Sequence, residues 1–293
     1  MNIGEKIKKL RNAKMMTQSE LVGTEITRNM LSRIENGTAT PSLETVMYIA
    51  SRLNVSAGYL LADESDEQIY IKHNEVLGIK RTFMNADHYI CRDMCIHSSF
   101  SDDDEIKLIL AECELAIGIE EFCRGALRSC CEHLDSAVEA CGGTLYRTDH
   151  IVSAVGVYFR YMRLISATLS SSVIDEDEIN IYPSLSDDFC RYAVIFERMS
   201  ENSDTDTEGI EKIGNKDYPL NMHIEAKRYM QSTEYSEAYK RLREILVGEC
   251  SVPEPVLYFV FCDLEICCRE MQDFKGAYEY SLNKIELLQK LLT

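Results

Sequence analysis

Little in this chain interrupts a helix. Five prolines and fourteen glycines are spread over 293 residues, and strict polar/apolar alternation is hard to find, which argues against a sheet. The longest uninterrupted apolar run, residues 256 to 262, is far too short to span a bilayer, and Met1 leads into a charged segment with no apolar signal core. No membrane association is therefore expected, and the cytoplasm is the expected location. Also missing are HExxH, GxSxG, a Gly-rich phosphate cradle and a β-rich tail with a Ser/Lys pair, so nothing supports an enzyme. The first of the twelve cysteines is Cys91 and no CxxC occurs, as expected of reduced thiols that pack as small hydrophobes.

Charge is present but unevenly placed. Residues 1–62 carry eight Lys/Arg against five Asp/Glu, a net of +3, so the whole-chain −18 leaves −21 on residues 63–293. A basic module neutralises phosphates, whereas an acidic one is repelled from DNA and suits another partner. The run DESDE at 63–67 marks the change. Expected domains are 1–62, a linker at 63–70, and a helical body at 71–293.

Within the basic part, TQSELVGTEITRNMLSRIENG at 17–37 carries the strongest pattern. Thr17 with Glu20 forms a capping box that starts a helix, and Gln18 sits in its first turn, where backbone N–H groups favour a phosphate. Gly23 and Thr24 permit a turn, and Thr27 caps a second helix. Leu21, Ile26, Leu31 and Ile34 point inward, and Gly37 ends the helix in a left-handed conformation. Arg28, Asn29, Ser32, Arg33 and Asn36 remain outward. Arg and Asn recognise guanine and adenine bidentately, and Ser meets a base or a phosphate. Around this pair, Ile3, Ile7 and Leu10 mark a first helix made basic by Lys6, Lys8, Lys9, Arg11 and Lys14. Pro41 and Ser42 open another, with Leu43, Val46, Ala50 and Leu53 on its apolar side, and Ser56 caps a fifth carrying Tyr59 and Leu60.

TQSEL, TRNMLSRIENG and PSLETVMYIASRLNV resemble the helix-turn-helix of phage-repressor-like (Xre-type) regulators over about residues 3 to 61. The turn between Leu21 and Thr27 is about one residue shorter than that pattern. The resemblance implies a five-helix domain whose second helix of the pair, with Thr27 at its start, enters the major groove of a double-stranded DNA operator.

Beyond the linker, helix follows helix. Asp102 to Glu105 place negative charge at one helix start, and further helices are expected at about 119–140, 146–169, 185–200, 218–232, 234–248, 254–271 and 273–292. YSEAYKRLREIL from Tyr235 and FKGAYEYSLNKI from Phe274 repeat at an offset of 39 residues, and Ala226, Tyr229, Ala238 and Leu242 fall at tetratricopeptide-repeat spacing. The fold expected is all-α, a repressor-like head followed by an α-solenoid of tetratricopeptide-like hairpins. That combination resembles the Rgg/PlcR-like (RRNPP) peptide-sensing regulators, which implies a homodimer whose helical array binds a short signalling peptide.

Asn221, Arg228 and Tyr229 on one helix, with Tyr258 on the next pair, are candidates for a peptide: Asn clamps a backbone, Tyr stacks, Arg holds a carboxylate. The alternative for the same residues is ordinary packing and a solvated charge. The alternative for the molecule is an adaptor or antitoxin-like regulator whose body recruits a protein partner. No cofactor is expected. His88, Cys91, Cys95 and His97 recur along one helix, which supplies a tetrahedral zinc site poorly. Asp204, Asp206, Glu208 and Gly209 mimic the start of a calcium loop, but Asn215 stands where its bidentate Glu belongs and Lys212 lies inside it.

Overall fold

The computed structural model describes residues 2–63, 66–175, 179, 188–200, 218–248 and 250–293, and among them there is no strand. The chain forms two compact units, Met1–Arg81 and Thr82–Thr293. The calcium-like motif from Asp204 to Asn215 lies outside the described residues.

The first unit contains α1 (Ile3–Ala13), α2 (Gln18–Val22), α3 (Arg28–Glu35), α4 (Leu43–Leu53), α5 (Ala57–Leu61) and most of α6 (Glu67–Met84). Caps delimit it as the residues dictate. Asn2, Thr17, Thr27, Ser42 and Ser56 each accept a hydrogen bond from the backbone N–H three residues on, meeting donors that a helix start leaves open. Ile7, Leu21, Leu31, Ile34, Val46, Ile49, Leu53 and Leu60 fill one core. Leu43 departs from expectation, because it points outward at 63% exposure while Ile49 is fully buried. The stripe of α4 is set by Val46, Ile49, Ala50 and Leu53, and its first residue lies beyond the core's reach.

The segment expected as a linker is helical from Glu67, and the units divide inside α6. Tyr70 explains the shift: its ring lies so close to Gly58 that a Cβ there would sit 2.6 Å from it. The start of α6 thus packs on α5.

The second unit holds α7 (His88–Ile96), α8 (Asp104–Arg124), α9 (Leu127–Gly142), α10 (Asp149–Arg163), α11 (Asp188–Ser200), α12 (Pro219–Gln231), α13 (Tyr235–Val247), α14 (Glu254–Glu270) and α15 (Phe274–Leu292). α8 with α9, α12 with α13 and α14 with α15 pack as consecutive pairs. Ala226, Ala238 and Ala277 are buried, at positions where small residues let helix axes approach.

Two boundaries correct the sequence reading. The helix expected over 119–140 is broken, since Gly125 takes φ +80 and caps α8 in the left-handed region, where glycine carries no Cβ penalty. The helix expected to reach 169 stops at Arg163. Ser166 Oγ there accepts from the Thr168 N–H at 3.3 Å, a local bond that competes with the helix ladder.

Candidate nucleic-acid interface

The turn between α2 and α3 is held from both sides. The Thr17 hydroxyl accepts from the Glu20 N–H at 3.2 Å, and the Glu20 carboxylate accepts from the Thr17 N–H at 2.6 Å. Hydrogen bonding to the Thr17 backbone N–H, and after it to the Thr17 side chain, holds the Glu20 carboxyl below its ordinary range. Gly23 then adopts φ +53, ψ −128, a conformation open to glycine alone among common residues. Tyr48 of α4 donates its hydroxyl to the Val22 carbonyl at 2.9 Å, and the Arg52 guanidinium binds the Glu20 carbonyl. Thr27 accepts from the Met30 N–H at 3.2 Å, and at the far end Gly37 takes φ +71.

What α3 buries determines what it shows. Leu31 and Ile34 face the core, and Glu35 beside them is also buried. Consequently Thr27, Arg28, Asn29, Arg33 and Asn36 are exposed and Ser32 is half-buried. All lie along one rod eight residues long with its caps.

Glu35 is a residue that sequence reasoning missed. Its carboxylate receives a bidentate fork from Arg11 (Nε 2.7 Å, Nη2 3.1 Å) and a third bond from Gln18 Nε2 at 2.7 Å. Arg11 also donates to the Met16 carbonyl at 2.9 Å. Burial pushes the Glu35 carboxyl up, but the bonds from Arg11 and Gln18 and the charges of Arg11 and Lys8 outweigh it and hold the group below the usual carboxylate value. One buried carboxylate thereby fixes α1, α2 and α3 together. Gln18 in turn accepts from Arg28 Nε at 3.5 Å, so the start of α2 steadies an outward cation of α3. The only trace of this in sequence is an acid in a basic, apolar-striped segment.

The same contacts revise the basic helix. Lys6 is buried, donates to the Ala62 and Tyr59 carbonyls at 2.8 and 3.3 Å, and lies 5.2 Å from the centre of the Tyr59 ring. Lys6 and Arg11 thus serve the fold, which leaves Lys8, Lys9 and Lys14 exposed on α1 and its end.

In the second unit, Asn221 is half-buried while Arg228 and Tyr229 face solvent at the end of α12. Asn221 and Arg228 lie two turns apart and share a face. Tyr258 sits half-buried on α14 with its ring 5.2 Å from Phe259. Burial, and then the neighbouring Cys262, push its hydroxyl up to about 12. Cys91 and Cys95 are buried on α7, where burial raises both thiols and carries Cys95 to about 12, an inert state for a thiol.

A different residue in this unit has unmet chemistry. Arg160 Nε and Nη2, which form one bidentate edge, are buried with no hydrogen-bond partner among the described residues. The carboxylate paired with it, Glu197, stays 4.0 Å from Nε. The sequence signal was an absence, since no Asp or Glu occurs between Asp149 and Asp175 in an otherwise acidic body.

Comparison with known proteins settles the class. The family described as Helix-turn-helix matches residues 7–60, the segment that forms α1 to α5. The uncharacterized HTH-type transcriptional regulator YqaE of Bacillus subtilis (strain 168) is 34% identical over 84 residues, which is 28% of this chain and 72% of that protein. This chain belongs to the helix-turn-helix transcriptional regulators. It is thus a DNA-binding regulator and not an enzyme, and α2 with α3 is its helix-turn-helix. Along most of its length the regulator also aligns with solved structures. One is PlcR of Bacillus thuringiensis in complex with the peptide PapR7 and DNA (12% identity, 99% of this chain and 96% of that one, TM-score 0.23). Another is the apo form of the competence regulator ComR of Streptococcus vestibularis (20% identity, 85% and 93%, TM-score 0.27). Neither alignment assigns a role to a residue. No helix among the described residues is long and apolar enough to cross a membrane.

Proposed function

We propose that this regulator reads a two-fold operator as a homodimer, with residues 1–62 as its DNA-binding module and the acidic helical body beyond the linker as dimerisation and sensor module. The observation that carries this reading is the row of outward side chains on α3, held in one orientation by the Glu35 lock. Arg28, Arg33, Asn29 and Asn36 are the donors that read base edges, Ser32 and Thr27 lie at the groove wall, and Gln18 opens α2 toward a phosphate. Lys8, Lys9 and Lys14 add backbone attraction.

For the body, the unmet edge of Arg160 supports a ligand that brings a carboxylate, as a short peptide does at its C-terminus. Asn221, Arg228, Tyr229 and Tyr258 are further candidate contacts for such a peptide. Phe274, Tyr278, Leu282 and Ile285, exposed along one side of α15, support a protein-contacting surface. We assign that surface to the dimer, and in the adaptor reading it would hold a different protein. Two heads must sit about 34 Å apart to read successive major-groove faces, so a ligand that changes their spacing changes operator affinity.

Selection of the full-length chain against a random duplex pool tests the reading. It is expected to enrich one motif repeated as two half-sites with a centre-to-centre spacing of about one helical turn. Enrichment of no motif would reject the DNA-reading role, and a lone half-site bound by one chain would reject the dimer.

A further inference from the structure

The body contains a continuous polar chain that the regulator's DNA chemistry does not use. Tyr161 Oη and Tyr192 Oη are 3.3 Å apart, Tyr192 Oη and His223 Nδ1 2.8 Å, His223 Nε2 and Asp263 Oδ2 3.0 Å, and Lys227 Nζ donates to Asp263 Oδ1 at 3.1 Å. It links α10, α11, α12 and α14. Tyr161, Tyr192, His223 and Asp263 are buried, and Phe122, Phe189, Phe196 and Phe259 surround the tyrosine end. Lys227 alone reaches solvent, with its side chain 19% exposed and its ammonium 5.2 Å from the centre of the Phe196 ring.

Donor and acceptor chemistry gives this chain a direction. The Asp263 carboxylate only accepts, so His223 Nε2 donates to it. The Nδ1 of a neutral ring then accepts from the Tyr192 hydroxyl, whose oxygen accepts from Tyr161. Every member is satisfied, and Lys227 balances Asp263. A proton added at His223 Nδ1 would force Tyr192 to accept from it and donate toward Tyr161, whose hydroxyl hydrogen would then turn into phenylalanine rings, with no further acceptor among the described residues. The other charged neighbours do not alter this balance. Burial pushes the Cys262 and Cys267 thiols beside Asp263 up to about 11 and about 12, so they stay neutral. From α13, Arg241 is engaged with Glu225 and Glu244.

We propose that the Lys227–Asp263 pair is a charge latch that keeps His223 in its one-proton form. Drawing Lys227 away loads a proton onto Nδ1 and reverses the hydrogen-bond chain as far as α10. The proton comes from solvent and restores neutrality around Asp263, which otherwise stays buried with a negative charge. The result is a two-state element that runs from the solvent edge of α12 to the aromatic core. It rests on the sensor reading only for what draws Lys227 away.

The test follows protonation of His223 by NMR in the full-length protein labelled with ¹⁵N-histidine, the signal being assigned with His223→Gln. In Lys227→Gln the protonation step is expected at higher pH than in the wild type, by about one unit or more, because a neighbouring cation has been removed. Lys227→Arg is expected to restore the wild-type position, and Asp263→Asn to move the step to lower pH. An unmoved step in Lys227→Gln, or an equal shift in Lys227→Arg, would overturn the latch. Should Lys227→Gln fail to fold, Asp263→Asn and Lys227→Arg still decide, since the latch requires a downward shift in one and none in the other. The measurement uses no ligand, so a body that binds no peptide would leave these outcomes unchanged.

Discussion

At the scale of single residues, two buried charges make opposite statements. Glu35 is fully partnered, and removing one member of such a buried pair costs about 3–5 kcal/mol. Its folded value lies below the ordinary one of 4.5, so its contribution is complete above that pH and is lost as pH falls through the lower folded value. Thermal unfolding of the wild type should therefore weaken below about pH 4.5, and Glu35→Gln should flatten that acid limb while lowering stability near neutrality. An acid limb of unchanged slope in Glu35→Gln would show that other carboxylates carry it. Arg160 has the reverse problem, a buried guanidinium edge without a hydrogen-bond acceptor among the described residues. Replacing it by methionine keeps the stem and removes the unsatisfied buried donors, so Arg160→Met is expected to gain about 1–3 kcal/mol in chemical denaturation of the ligand-free protein. A loss of stability would mean that Glu197 already neutralises this site.

Elements are where sequence was most legible, and the reasons are local. Thr17, Thr27, Ser42 and Ser56 each announce a helix start because a cap needs only a side-chain oxygen and a backbone three residues away. Leu31 and Ile34 identify the buried side of α3 for the same reason, and with it the outward row. Three things were not legible. The break at Gly125 was concealed by apolar residues continuing on both sides of it. The inward course of Lys6 and Arg11 depends on tertiary partners, Ala62 and Glu35, that no local pattern reveals. The chain from Tyr161 to Asp263 joins residues a hundred positions apart, so only the assembled helices display it. Gly23 carries the element-scale prediction. A Cβ there would approach the Tyr48 hydroxyl to 2.3 Å at φ +53, and strained backbone of this kind costs about 1–3 kcal/mol. Gly23→Ala should destabilise the head by about that amount in a denaturant titration and weaken operator binding with it. A fully stable Gly23→Ala protein would mean that the turn has another conformation open to it.

For the whole molecule, the division of charge sets the working order of its parts. A head at +3 and a remainder at −21 leave DNA attraction to the head, whose exposed Lys8, Lys9, Lys14, Arg28 and Arg33 are few. Affinity should accordingly fall with salt along a shallow log–log slope, about −0.9 for each phosphate neutralised. A slope steeper than the exposed cations of two heads allow would place part of the acidic body's basic residues on DNA, contrary to this account. Specificity must then come from base edges, and that is the claim on which the function turns.

The most direct measurement is the binding of the full-length chain to its selected operator and to a scrambled duplex at one salt concentration, repeated for Arg33→Ala. We expect the wild type to prefer the operator by about a thousandfold or more. Arg33→Ala should lose about 1–3 kcal/mol on the operator while binding the scrambled duplex nearly unchanged. Equal affinity of the wild type for both duplexes would contradict the account, because α3 would then not be reading sequence.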